Sequence, residues 1–149
     1  MLLSSVNRAY IAGFWDGEGT FSITKRVDVK AKDEFNYQVY ASISNCNKET
    51  IFWIKEKLHC GFSFFKPHST NDNARMAYTL QITGFNNVIA LIKMLSPYLK
   101  NKKLVAEKLL EFCQSRKNIM KKPLKKRHYT EKELAIFTEI RQLNKRGRD

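Results

Sequence analysis

The sequence predicts a single α+β domain whose elements run in the order α-β-β-α-β-β-α-α, with one more short helix near the end. Three observations carry this expectation. Stretches with apolar residues at helical spacing are interleaved with stretches that alternate strictly between apolar and polar residues. Turn-forming residues separate them. The chain has 149 residues and 43% hydrophobic content, with 10 Phe, 6 Tyr and 2 Trp, enough for one real core.

The first element organises the rest. A helix over 5–16 is predicted, with Ser4 or Ser5 as its N-cap. Ala9, Gly13 and Gly17 recur every four residues and share one face, with Ala12 beside them. A face of hydrogens and methyls lets another backbone approach closely. Ile11, Phe14 and Trp15 point toward a core. Gly17 and Gly19 break the helix and leave Asp16 and Glu18 at its C-terminal end, where the macrodipole favours cations. Acids there suggest a held cation; a plain helix stop with two solvated acids explains the same residues.

From Thr20 the period becomes two. Phe21 and Ile23 face one way, and Ser22, Thr24 and Arg26 the other. The polar loop DVKAKDE leads to a second strand. There Tyr37, Val39, Ala41 and Ile43 alternate with Gln38, Tyr40, Ser42 and Ser44. Asn47 caps a helix over 48–59 with Ile51, Ile54 and Leu58 inward, and Gly61 ends it. The strand at Phe62, Phe64 and Lys66 is too mixed in pattern to orient. After the turn HSTNDNA, Met76, Tyr78, Leu80 and Ile82 alternate with Ala77, Thr79, Gln81 and Thr83. A helix over 86–95 buries Val88, Leu91, Ile92 and Leu95 and stops at Pro97. Another over 101–114 carries Leu104, Val105, Leu109 and Phe112.

The core thus spans about 5–113, and a basic extension follows over 114–149. Arg116, Lys117, Lys121, Lys122, Lys125, Lys126 and Arg127 carry seven positive charges with no acid among them. Thr130 and Glu133 form a capping box before a short helix with Leu134, Phe137 and Ile140 apolar. Lys plus Arg is 27 against 14 Asp plus Glu, a formal charge of +13. That balance points to a polyanion, nucleic acid before a membrane surface, since no single helix carries the excess. No apolar run approaches a membrane span, and the start lacks the long apolar region of a signal peptide. Cys46, Cys60 and Cys113 include no C-x-x-C pair and are read as reduced, intracellular and mostly buried.

The segment IAGFWDGEG, Ile11 to Gly19, resembles the LAGLIDADG motif of homing endonucleases, with Glu18 in the last acidic position. One motif in a chain of this length is similar to the family's homodimeric branch. The resemblance implies a four-stranded antiparallel saddle that binds double-stranded DNA, and a site-specific endonuclease that makes double-strand breaks. It implies that Glu18, helped by the Gly17 carbonyl, binds the catalytic metal. Magnesium is expected, with manganese able to substitute and calcium supporting binding without cleavage. Ala9, Ala12, Gly13, Asp16 and Gly17 would form the dimer interface. Asn47 matches a polar residue that orients water. Lys100 matches a catalytic lysine, with Lys102 as the second choice. Where some members carry a basic residue early in the second helix, this chain has Ile51.

Base contacts are expected from Arg26, Gln38 and Gln81, with Ser22, Thr24, Tyr40, Ser42 and Thr79 as adaptable donors and acceptors. Lys30, Lys32, Lys66, Arg75, Lys102, Lys125, Lys126 and Arg127 are assigned to the DNA, chiefly its phosphates. Each arm of the first hairpin is roughly ten residues at ~3.3 Å per residue, so a dimer follows about twenty base pairs of a pseudo-palindrome. An intron is the expected source. The expected location is wherever the DNA is: the cytoplasm of a prokaryote, or a eukaryotic organelle. Two alternatives share the fold: a maturase binding intron RNA, and a DNA-binding regulator without cleavage. An intact Glu18 argues against the regulator.

Overall fold

The computed structural model describes residues 3–31, 33–67, 75–123 and 127–146, the side chains of 64–67 and 146 excepted. The elements are α1 (Ser5–Glu18), β1 (Gly19–Val27), β2 (Phe35–Asn45), α2 (Lys48–Leu58), β3 (Phe62–Pro67), β4 (Met76–Thr83), α3 (Phe85–Leu95), a 3-10 turn (Ser96–Tyr98), α4 (Lys103–Ile119) and α5 (Glu131–Arg146). This is the expected α+β order. The four strands form one antiparallel sheet in the order β1-β2-β4-β3.

Strand alternation divides the sheet into two faces. Phe21, Ile23, Val39, Ala41, Ile43, Leu80 and Ile82 are buried on one of them. A single hydrophobic cluster joins them to residues of all five helices: Ile11 and Trp15, Ile51 and Ile54, Val88 and Ile92, Leu109 and Phe112, Ile136 and Ile140. The C-terminal extension is therefore not an appendage, because α5 supplies part of the core. The apolar surface it covers would otherwise face water, which is strongly unfavourable. Ile136 lies on its buried face, while Leu134, the sequence-based choice, is exposed. Leu104 of α4 is likewise exposed, and Leu58 is only partly buried.

Local capping sets most helix starts. Ser4 accepts from the Asn7 N–H at 3.2 Å, and Asn47 from the Thr50 N–H at 3.1 Å. Thr130 and Glu133 exchange the two bonds of a capping box, 2.9 and 3.1 Å. Two helices differ from expectation by more than one residue. α1 runs through Gly17 and ends at Glu18. α4 starts two residues late and continues to Ile119, so Arg116 and Lys117 are helical. Arg116 is buried: its guanidinium meets Glu133 at 3.3 Å, donates to the His128 carbonyl at 3.0 Å and stacks on Tyr129 at 4.1 Å. It fastens α4 to α5, so Arg116 is not one of the solvent-facing charges of the basic extension. Cys113 is buried, with its thiol pushed up to about 12 by desolvation, whereas Cys46 is exposed, contrary to the expected burial. No helix among the described residues is long and apolar enough to cross a membrane.

Candidate active site and nucleic-acid interface

The two motif acids have different fates. Asp16 accepts the backbone N–H of Lys100 at 2.7 Å on one carboxylate oxygen and that of Lys102 at 2.9 Å on the other. Its charge holds the loop before α4 against the end of α1. Glu18, at the last helical position, is exposed. The Lys102 ammonium folds back onto the Asp16 carbonyl. Burial holds its pKa below the ordinary lysine value, against the opposing pull of Asp16 and Glu18. Lys102, the second choice from sequence, is thus the lysine beside the acids. Lys100 contributes its backbone N–H there, and its residue is exposed. The bonds to Asp16 set this arrangement, because they turn the loop so that position 102 returns to the helix end.

The glycines of the motif separate by environment. A Cβ on Gly19 would sit 2.2 Å from Trp15 Cδ1, so the fully buried indole demands glycine there. Gly19→Ala is expected to cost about 1–3 kcal/mol through overpacking. At Gly13 a Cβ meets nothing within 4 Å, so Gly13→Ala is expected to raise single-chain stability by up to about 1 kcal/mol through helix propensity. Thermal melts of the two variants check the contrast. Ala9, Gly13 and Gly17 are exposed along α1, flanked by Val6 at 75% and Tyr10 at 51% exposure. Ala12, one step round the helix from Gly13, is fully buried in its own chain's core, which removes it from the expected interface.

Asn47 is exposed beyond the end of β2, and its side chain caps α2. The pairing of Gly19 with Ile43 brings this end of β2 beside the end of α1. Ile51 is fully buried, so position 51 is a core position in this chain and offers no second basic group.

The polar face of the sheet follows from the register. Thr20, Ser42, Gln81 and Phe62 form one row across four strands. Ser22 pairs with Tyr40, Thr24 with Gln38, and Arg26 with Asn36, which sequence reading passed over. Thr24, Arg26 and Gln38 are exposed; Ser22, Tyr40, Ser42 and Gln81 are half-buried. Thr79 is buried on this face, with its hydroxyl 2.6 Å from that of Ser44, so it is not the open contact expected. Lys30 and Arg75 are exposed at the strand ends. Lys32, Lys125 and Lys126 lie outside the described residues, as does the side chain of Lys66. The Arg127 Nε donates to the Lys122 carbonyl at 2.9 Å.

Sequence reading missed the end of α5. Arg141, Asn144 and Lys145 line a groove with Asp16, Gly17, Thr20, Ser22, Thr24, Lys25, Tyr40 and Lys102. Asn144 donates to the Phe21 carbonyl at 3.1 Å, on the outer edge of β1. The signal was present as two cations four residues apart on an amphipathic helix. The hairpin loop joins this end of the chain as well. Asp33 accepts from the Tyr129 N–H at 3.0 Å and pairs with His128 at 2.9 Å. The His128 hydrogen bond, then the Tyr129 N–H, holds its carboxyl below the ordinary range. That contribution to stability is complete above the ordinary carboxylate pKa and is lost as pH falls through the lowered one.

These features define an α+β protein that brings an exposed helix-end acid, a half-buried lysine and a hydrogen-bonding sheet face to one side of the molecule. A profile of the LAGLIDADG endonuclease family matches residues 11–119, and the chain belongs to that family. No curated protein sequence matches it. Among solved structures it is similar to the group I intron-encoded homing endonuclease I-CeuI complexed with DNA. That match has TM-score 0.73 and 15% identity, and covers 95% of this chain and 69% of that one. The homing endonuclease I-CvuI with its target in 2 mM Ca gives TM-score 0.71 and 17% identity, covering 93% of this chain and 82% of that one. The archaeal intron-encoded I-Vdi141I complexed with DNA gives 0.64 and 19%, covering 93% of this chain and 97% of that one. At these identities the likeness is one of fold.

Proposed function

We propose that the chain is a site-specific DNA endonuclease that acts as a homodimer and hydrolyses both strands near the centre of a pseudo-palindrome of about twenty base pairs. One observation carries the reading. Of the two motif acids, Asp16 is occupied in holding the loop before α4, while Glu18 stands exposed at the helix end on the side of Lys102. The formal charge of +13 suits a polyanion, and the polar strand rows offer donors and acceptors to base edges in the major groove. DNA complexes of the structural neighbours, intron-encoded among them, support the same substrate and an intron origin.

Among the described residues no group of three or more His, Cys, Asp or Glu gathers to hold a metal. The donors present are hard oxygens, the Glu18 carboxylate and the Gly17 carbonyl. They suit magnesium, which binds through one or two carboxylates with substrate phosphates and waters. Such an ion would activate water and stabilise charge on the leaving oxygen. Lys102, with its lowered pKa, can polarise the phosphate or exchange a proton with solvent near it. Asn47 can orient a water at the neighbouring end of β2. Asp16 keeps Lys102 in place.

A single chain supplies one such acid, and cutting two strands calls for two. The exposed small face of α1 is where the copies would meet. Gly13→Leu should separate them: sedimentation is expected to shift from dimer to monomer or aggregate while each chain stays folded, since that Cβ meets no atom of its own chain within 4 Å. A wild type that is monomeric on DNA overturns the dimer. The activity itself is tested by incubation with the cognate intronless gene in magnesium, with calcium as the binding-only control. Intact DNA in magnesium, under conditions where calcium supports binding, overturns it.

A further inference from the structure

The first hairpin reaches past the rest of the sheet. β2 pairs with β4 only from Tyr40, opposite Thr83, to Asn45, opposite Tyr78. β1 accompanies β2 further, out to Val27 opposite Phe35. The outer part of the hairpin, 23–27 with 35–39, is therefore a two-stranded ribbon, and β4 leaves one edge of β2 open there. Such a ribbon is marginal on its own and twists more than a wider sheet. Yet it carries Thr24, Arg26 and Gln38 on its polar face.

Tyr129, in the segment between α4 and α5, closes that edge. Its hydroxyl accepts the Tyr37 N–H at 2.9 Å, a main-chain donor on the stretch of β2 that β4 does not reach. It donates in turn to Asn36 Oδ1 at 3.5 Å. The ring stacks on Phe35, with centroids 5.3 Å apart and planes at 9°, and meets Tyr37 edge-on at 4.7 Å. Phe35 and Tyr37 alternate with Asn36 and Gln38, so the rings hold the ribbon by the face turned away from the polar rows. The Tyr129 N–H donates to the Asp33 carboxylate at 3.0 Å, just ahead of β2. The Arg116 guanidinium, itself paired with Glu133, lies 4.1 Å from the ring centroid. Tyr129 thus ties the hairpin's outer half to the anchor between α4 and α5.

We infer that Tyr129 is a positioning residue for sequence recognition: it fixes the twist of the hairpin's outer half without touching DNA itself, and so controls selectivity at the two ends of the site. The inference rests on the proposal that the polar sheet face enters the major groove. Hydrogen bonds weaken steeply as their angles depart from linear, so a ribbon free to twist discriminates poorly. The five residues of β2 beyond β4 span about 17 Å, or about five base pairs of duplex. Those outermost base pairs of each half-site depend on Tyr129; the inner ones lie against the four-stranded part of the sheet and do not.

Two variants loosen this brace from different sides. Tyr129→Phe keeps the stacked ring and removes only the hydroxyl, and Asp33→Asn weakens the acceptor of the Tyr129 N–H. Amide exchange on the free full-length protein comes first. Exchange at Tyr37 should rise at least about fivefold in Tyr129→Phe, as loss of a buried acceptor implies, while Ile43, inside the four-stranded part, is unchanged. Wild type then selects its site from a randomised duplex library in calcium, and binding is measured for single base-pair changes across that site. A change at an outer position should weaken wild-type binding about fivefold or more and either variant less than about twofold. Changes at inner positions should weaken all three proteins alike. A residue that merely stabilised the fold would lower the active fraction and leave the pattern of preference intact. Unaltered Tyr37 exchange overturns the brace. An unaltered pattern, a uniformly relaxed one, or a wild type indifferent to its outer base pairs overturns its role in recognition. Failure of wild type to retain any duplex overturns the DNA-binding reading instead, and amide exchange still decides the brace.

Discussion

Glu18→Gln is expected to lower cleavage by at least about a thousandfold while duplex binding in calcium and thermal stability stay near wild type. The substitution keeps the shape and removes the charge. Electrostatic help of the kind a bound divalent ion gives is worth several kcal/mol in the transition state, and each 1.36 kcal/mol is tenfold in rate. Glu18 is exposed at the end of α1, so the fold has little need of its charge. Exposed substitutions of this kind usually stay within about 0.5 kcal/mol. Asp16→Asn should behave differently. It weakens the carboxylate that accepts from Lys100 and Lys102 at 2.7 and 2.9 Å, so stability and cleavage fall together. Measured rates and melts for the two variants separate the roles. Undiminished cleavage by Glu18→Gln would take the residue out of the reaction.

The largest stability effect is expected at Arg116. Arg116→Ala leaves Glu133, whose side chain is fully buried, without its cation. Removing one partner of a buried pair costs about 3–5 kcal/mol. For a chain of this size that lowers the melting temperature by roughly 6–20 °C. The double variant Arg116→Met with Glu133→Gln should recover much of the loss. It removes the orphaned charge, while the amide oxygen can still accept from the Thr130 N–H that Glu133 holds at 2.9 Å. If Arg116 served phosphate instead, Arg116→Ala would weaken DNA binding at an unchanged melting temperature.

What the sequence made legible was local chemistry. Alternation exposed β1, β2 and β4 because each buries one face: Phe21 and Ile23, Val39, Ala41 and Ile43, Leu80 and Ile82. Caps at Ser4, Asn47 and Thr130 were readable because a side chain bonds to backbone three residues away. The motif acids stood out because Asp16 and Glu18 lie in one short segment, interleaved with Gly17 and Gly19. What depended on distant partners was hidden. Arg116 sits in a basic run, and only the return of α5 makes it a buried anchor. Lys100 and Lys102 are neighbours in a loop, and Asp16, more than eighty residues earlier, decides which ammonium turns back to the helix end. Ala12 and Gly13 differ by one step around a helix, which is enough to send one into the core and leave the other at the surface. Phe62 could not be oriented because its strand has a mixed pattern, and its pairing with β4 supplies the orientation.

The bond from Asn144 to the Phe21 carbonyl ties the outer edge of β1 to the last helix, across 123 residues. An uncovered strand edge is a template for pairing with other chains. During synthesis the first hairpin leaves the ribosome long before α5 is made. Until that helix docks, the edge of β1 and the aromatic residues around Tyr37 are open to neighbouring nascent chains. Contacts so far apart in sequence form slowly. Shortening the chain ahead of α5 should therefore show itself first as insoluble protein, and the yield of soluble material should depend on how quickly the final segment is delivered.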